Sequence, residues 1–125
     1  MELLIRCSWG LLGALHVMPA LVLFAPQLVQ RLYGVDPAGE LGVLLVHRAA
    51  LFATVVVVAA YAIVDPSVRR LATLVTAISM ISFLLVYLRA GMPAGQLQSI
   101  ARADLAGLLP LTAVAIAAWR LPSSA

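Results

Sequence analysis

The chain has 125 residues, of which 64% are hydrophobic and 10% charged, where a soluble domain carries about 25% charged residues. So few polar side chains cannot cover a water-soluble globule, and the length suits one compact domain rather than two. The net charge is only +3, and the eight basic residues, all arginine, form no basic stripe interleaved with aromatics, so a nucleic-acid partner is excluded.

The first apolar segment runs from about Leu3 to Ala25 (LLIRCSWGLLGALHVMPALVLFA). Its charged start and apolar run resemble a leader, but Leu23-Phe24-Ala25 offers no small-x-small cleavage site, so a retained first helix is expected. The single cysteine, Cys7, allows neither an internal disulfide nor a CxxC motif, and a buried, inert thiol is expected. Gly10, Gly13 and Ala14 form a small-residue strip of the kind that lets helices approach closely in a membrane. Pro19 removes a backbone hydrogen bond and frees the carbonyl of Leu15, beside His16. The connection from Pro26 to Glu40 contains a turn at Gly34-Val35-Asp36-Pro37, and Gln27–Tyr33 reads as a short interfacial helix with Tyr33 at headgroup level.

The second segment, Leu41–Val64 (LGVLLVHRAALFATVVVVAAYAIV), is almost wholly apolar apart from His47 and Arg48. Ala49 and Ala53 give it a small face. Asp65-Pro66-Ser67 ends it with a tight turn, because the residue before proline is pushed out of the helical region. The third segment, about Leu71–Leu88, carries Thr73, Thr76, Ser79 and Ser82 at every third position, a hydroxyl stripe best read as packing. Gly91-Met92-Pro93 ends it. Gln96–Arg102 then leads along the surface into the fourth segment, about Ala103–Trp119, which contains Pro110.

A hydrocarbon core of ~30 Å needs about 20 helical residues. The pattern therefore predicts an all-α, four-helix transmembrane bundle with helices near 3–25, 41–64, 71–88 and 103–119, a multi-pass protein of the cell membrane. Arg6, Arg69, Arg70 and Arg120 fall on one side and Arg31, Arg89 and Arg102 on the other. That excess leans toward cytoplasmic termini under the positive-inside rule. The small-residue faces and small size point to a homo-oligomer or to a partner membrane protein.

The candidate site is polar. An ionisable side chain at membrane depth costs roughly 2.5–3.5 kcal/mol on insertion scales and persists where it has a partner, a cavity or a task. His47 lies ~10 Å into the second helix at 1.5 Å per residue. His16, Tyr87, Arg102 and Asp104 enter the same half of the bilayer from the other helices, while the opposite half offers little beyond Tyr61. Arg48 and Asp104 could form a structural ion pair that fixes helix register. They could instead line a half-membrane pocket in which Arg48 holds an anionic or carbonyl group, Asp104 orients it, and His47 or His16 moves protons. His47 and Arg48 point about 100° apart on a helix, so the two cannot face one spot squarely. Two histidines with no carboxylate at i+3 or i+4 give no metal site. There is no glycine-rich phosphate loop, nucleophile elbow or other cofactor motif.

The strings Leu32-Tyr33-Gly34-Val35-Asp36, His47-Arg48-Ala49 and Arg102-x-Asp104 resemble those of small bacterial four-helix membrane proteins, DoxX-like in layout. Some of these carry the label phosphopantetheine adenylyltransferase. The resemblance covers most of the chain and implies that His47, Arg48 and Asp104 are marked positions, with a membrane partner in a redox or stress-related complex. The adenylyltransferase label implies a soluble α/β nucleotide-binding fold, whereas Gly13-Ala14-Leu15-His16 lies in apolar helix here. Three functions follow as expectations: an accessory or binding protein for an apolar or quinone-like ligand; an intramembrane isomerase, cyclase or hydrolase of a lipophilic substrate using His47 and Asp104; and a proton or ion conductor.

Overall fold

A computed structural model describes residues 1–120. Five helices follow one another: α1 (Glu2–Leu21), α2 (Leu28–Tyr33), α3 (Glu40–Val64), α4 (Arg69–Arg89) and α5 (Gln96–Arg120). No strand occurs among the described residues. All but α2 are long and apolar enough to cross a membrane, so the protein is all-α with four candidate spans.

Each boundary has a local cause. α1 ends at Leu21, four residues short of the apolar run, because the chain tightens through i→i+3 bonds from Leu23 N–H to Ala20 and from Phe24 N–H to Leu21. The apolar residues beyond it go into packing instead: Val22 is buried against Val29 of α2 and Ala49 of α3. α2 closes on Gly34, whose φ of 69° is left-handed and whose N–H reaches the Gln30 carbonyl, a cap that suits glycine. Between α3 and α4, Asp65 accepts the Ser67 N–H at 2.8 Å and Pro66–Val68 form one 3₁₀ turn. That bond holds the exposed Asp65 carboxyl below the ordinary carboxylate range. α5 starts at Gln96, so the lead-in segment and the fourth apolar segment are one continuous helix.

The four long helices alternate in direction. α3 packs along α1, α5 packs against both α1 and α4, and α3 and α4 touch much less. One end of the bundle therefore gathers Glu2, the Asp65–Val68 turn and Arg120; it is called the turn end here. The other, the open end, carries α2 and the Gly91–Gly95 loop. Trp9, Leu12, Ala59, Ala72, Met80, Leu111 and Val114 fill the core toward the turn end. Small residues allow the close approaches. A side chain on Gly13 would abut Ala59, and one on Gly107 would meet Met80 and Leu15. Gly13 thus serves packing within the chain, whereas Gly10 and Ala14 of the same strip are exposed. Cys7, expected to be buried, is exposed on the outer face of α1.

The turn end also corrects the expectation that this half offers little beyond Tyr61. Arg69 is buried, with both of its Nη groups donating to the Glu2 carboxylate and its Nε donating to the Ala62 carbonyl at 2.9 Å. Arg6 Nε shares the same carboxylate at 3.0 Å, and Arg70 Nε donates to the Ala118 carbonyl at 2.9 Å. One carboxylate and three arginines thus tie the starts of α1 and α4 to the ends of α3 and α5.

Candidate functional site: a cationic cavity between α3 and α4

Because α3 and α4 are tied at the turn end and touch little elsewhere, they leave a cavity of about 710 Å³ between them. Its walls are mainly apolar. α3 contributes Leu41, Leu45, Leu51, Phe52 and Val55, and α4 contributes Val75, Ile78, Phe83 and Val86. Tyr33 and Val35 from the first connection and Leu97 of α5 close its open end. Of the hydroxyls on the wall, Thr54 already donates to Ala50 O and Ser82 to Ser79 O, while those of Ser79 and Tyr33 make no hydrogen bond among the described residues.

Among the described residues, Arg48 is the one charged residue lining this space. Its guanidinium lies over the Phe52 ring, 4.9 Å from the centroid, and over the Phe83 ring at 5.2 Å. Both distances fall within cation–π range. Phe52 sits one turn after Arg48 on α3, and Phe83 comes across from α4. The guanidinium is thus held sideways between two helices instead of reaching up to the headgroups, the usual escape for an arginine at this depth. Among the described residues Arg48 has no carboxylate within 4.0 Å and no side-chain hydrogen bond. Its charge nevertheless reaches Tyr33 in the first connection. Burial pushes the Tyr33 phenol above its ordinary value, and the nearby Arg48 charge opposes that rise.

The remaining candidates fall into distinct places. His16 is buried in α1, with Nδ1 2.8 Å from the Leu12 carbonyl. This contact makes Nδ1–H the donor in the neutral ring and leaves Nε2 as an acceptor. Its ring packs against Phe52, with centroids 5.8 Å apart, so it backs the cavity wall. Asp104 is half-buried on α5, outside the cavity lining. The expected ion pair with Arg48 is not formed within 4.0 Å. Tyr87 is buried, stacks on Phe83 at 6.2 Å and donates to the Pro93 carbonyl at 3.1 Å. It anchors the α4–α5 loop and steadies the ring beneath Arg48. Arg102 is exposed. His47 is exposed on α3 and does not line the cavity, which is what the 100° separation from an inward Arg48 requires. Neither His47 nor Asp104, the expected acid/base pair, lines this cavity. No group of three or more His, Cys, Asp or Glu suited to a metal ion occurs among the described residues.

Sequence reasoning did not identify Phe52, Phe83 or Tyr33 as site residues. The i+4 spacing of Phe52 from Arg48 was the available signal, since residues so spaced lie on one helix face. Phe83 carried none, because its contact depends on the rotation of α4.

Comparison with protein-family models, curated proteins and solved structures finds no match to this chain.

Proposed function

We propose that this protein is a small multi-pass component of the cell membrane that binds one lipophilic molecule in the cavity between α3 and α4, acting as an accessory or binding protein. The observation that carries this reading is Arg48: an arginine without an ion-pair partner among the described residues, set on two aromatic rings in a mainly apolar cavity. A volume of about 710 Å³ falls within the ~300–1,000 Å³ of ordinary ligand pockets, which pair apolar walls with a few placed polar groups. The same proposal takes the chain as a DoxX-like membrane component, on the strength of Leu32–Asp36, His47–Ala49 and Arg102–Asp104. The termini are placed in the cytoplasm, and reporter fusions at each end test that placement.

The test is native mass spectrometry of protein released from mild detergent, with extraction and identification of whatever remains bound. The unaltered chain is expected to retain a specific small molecule that Arg48→Ala and the cavity-filling Ser79→Trp both lose. Retention of nothing by the unaltered chain, or equal retention by all three, overturns the reading.

A further inference from the structure

Resting on that reading, we infer that the cavity's occupant is a single-chain amphiphile with a carboxylate head, of the fatty-acid type, whose carboxylate sits on Arg48 and whose chain lies between α3 and α4.

The chemistry of the guanidinium favours an oxyanion. The guanidinium lies over the Phe52 and Phe83 rings, and neither ring offers an oxygen to accept from its five N–H donors. No protein acceptor meets them among the described residues. A planar fork of donors matches a carboxylate in bidentate fashion, with charge-assisted bonds roughly twice as strong as neutral ones. The other carboxylates are committed or elsewhere. Glu2 is held by Arg69 and Arg6 at the turn end, Asp65 caps the 3₁₀ turn, Asp36 accepts the Ala38 N–H in the first connection, and Glu40 and Asp104 lie outside the cavity lining.

Depth decides between a free carboxylate and a phospholipid headgroup. α3 has 25 residues, or about 37 Å, against a hydrocarbon core of ~30 Å. Arg48 is eight positions after Glu40, ~12 Å along the axis, which puts it roughly 8 Å below the hydrocarbon boundary. The phosphate of a two-chain lipid rides outside that boundary. A lone carboxylate on one chain can descend to Arg48, because the ion pair formed there offsets the desolvation of both charges. The rest of the wall matches a ligand that is charged at one point. The Thr54 and Ser82 hydroxyls are already engaged with their own helix, Ser79 and Tyr33 add only neutral hydroxyls, and among the described residues no second charged group faces the space.

The experiment uses the full chain, delipidated in maltoside micelles, with palmitate, hexadecanol or decylubiquinone added in turn and bound adducts read by native mass spectrometry. Palmitate is expected to bind roughly tenfold or more tightly than hexadecanol, which differs in the head alone. Arg48→Gln should abolish that preference, and Arg48→Lys should keep most of it. If Arg48→Gln does not fold, the palmitate-to-hexadecanol ratio on the unaltered chain decides. Hexadecanol or decylubiquinone binding as well as palmitate overturns the carboxylate while the lipophile-binding cavity stands. Binding of none of the three overturns both.

Discussion

A guanidinium lying on two aromatic rings gains about 0.5–2 kcal/mol from each, the larger figure applying when water is excluded. That is comparable with the roughly 2.5–3.5 kcal/mol an arginine costs at membrane depth, so Phe52 and Phe83 make the inward rotamer of Arg48 affordable without a carboxylate. Tyr33 reports on the same charge. Its phenol is pushed above 10.0 by burial, with Arg48 opposing. A folded-state pKa raised above the unfolded value means stability that is present below pH 10.0 and lost as pH rises through the folded value. Ultraviolet titration of the folded protein should therefore show one tyrosine ionising late, absent in Tyr33→Phe. Arg48→Gln should move it later still, since the cation that favours phenolate is gone. An earlier ionisation in that variant would mean that Arg48 does not act on Tyr33.

Two elements set the geometry around this residue. At the turn end, buried Arg69 holds Glu2 and the Ala62 carbonyl, whereas Arg6 makes only an exposed i,i+4 contact with the same carboxylate. Exposed pairs contribute little, and breaking a buried network leaves unmet groups. Arg69→Met should lower the thermal midpoint by several degrees and Arg6→Ala by far less; equal shifts would remove the clamp from the account. At the open end, the first connection lies directly on α3. A side chain on Gly42 would stand 2.5 Å from the carbonyl oxygens of Asp36 and Pro37. That contact is with backbone, which cannot swing aside. Gly42→Ala should therefore cost about 1–3 kcal/mol of stability, the usual range for overpacking. It should also lift the connection from α3, read as new protease cleavage between Tyr33 and Gly39. A variant as stable and resistant as the parent would contradict the contact.

At the scale of the whole molecule, the four long helices were legible because apolar length is a one-dimensional property, and the hairpin between α3 and α4 because Asp65-Pro66 marks a turn by local sterics. The site was legible in part. Arg48 was marked by its cost in an apolar run, and the divergence of His47 and Arg48 followed from helix geometry. Which of the two faces inward was not, since it depends on how α3 is rotated against α1 and α4. The Glu2–Arg69 clamp was hidden for the same reason: its partners lie 67 positions apart, and only the packing of both α1 and α4 against α5 and α3 brings them together. The inward choice of Arg48 makes His47→Leu a control: ligand retention should be unchanged, and a loss comparable to Arg48→Ala would place His47 in the cavity. The unequal ends of the α3–α4 hairpin have a mechanical consequence. With one end tied by Arg69 and a three-residue turn, any opening of the pair would pivot there, as in tongs. α4 has 21 residues, about 31 Å, so a tilt of about 10° at the pivot moves its far end by ~5 Å. A small change of tilt near Asp65 would thereby be enlarged to ~4 Å at Phe83, 14 residues along α4, about the width of a hydrocarbon chain entering from the side.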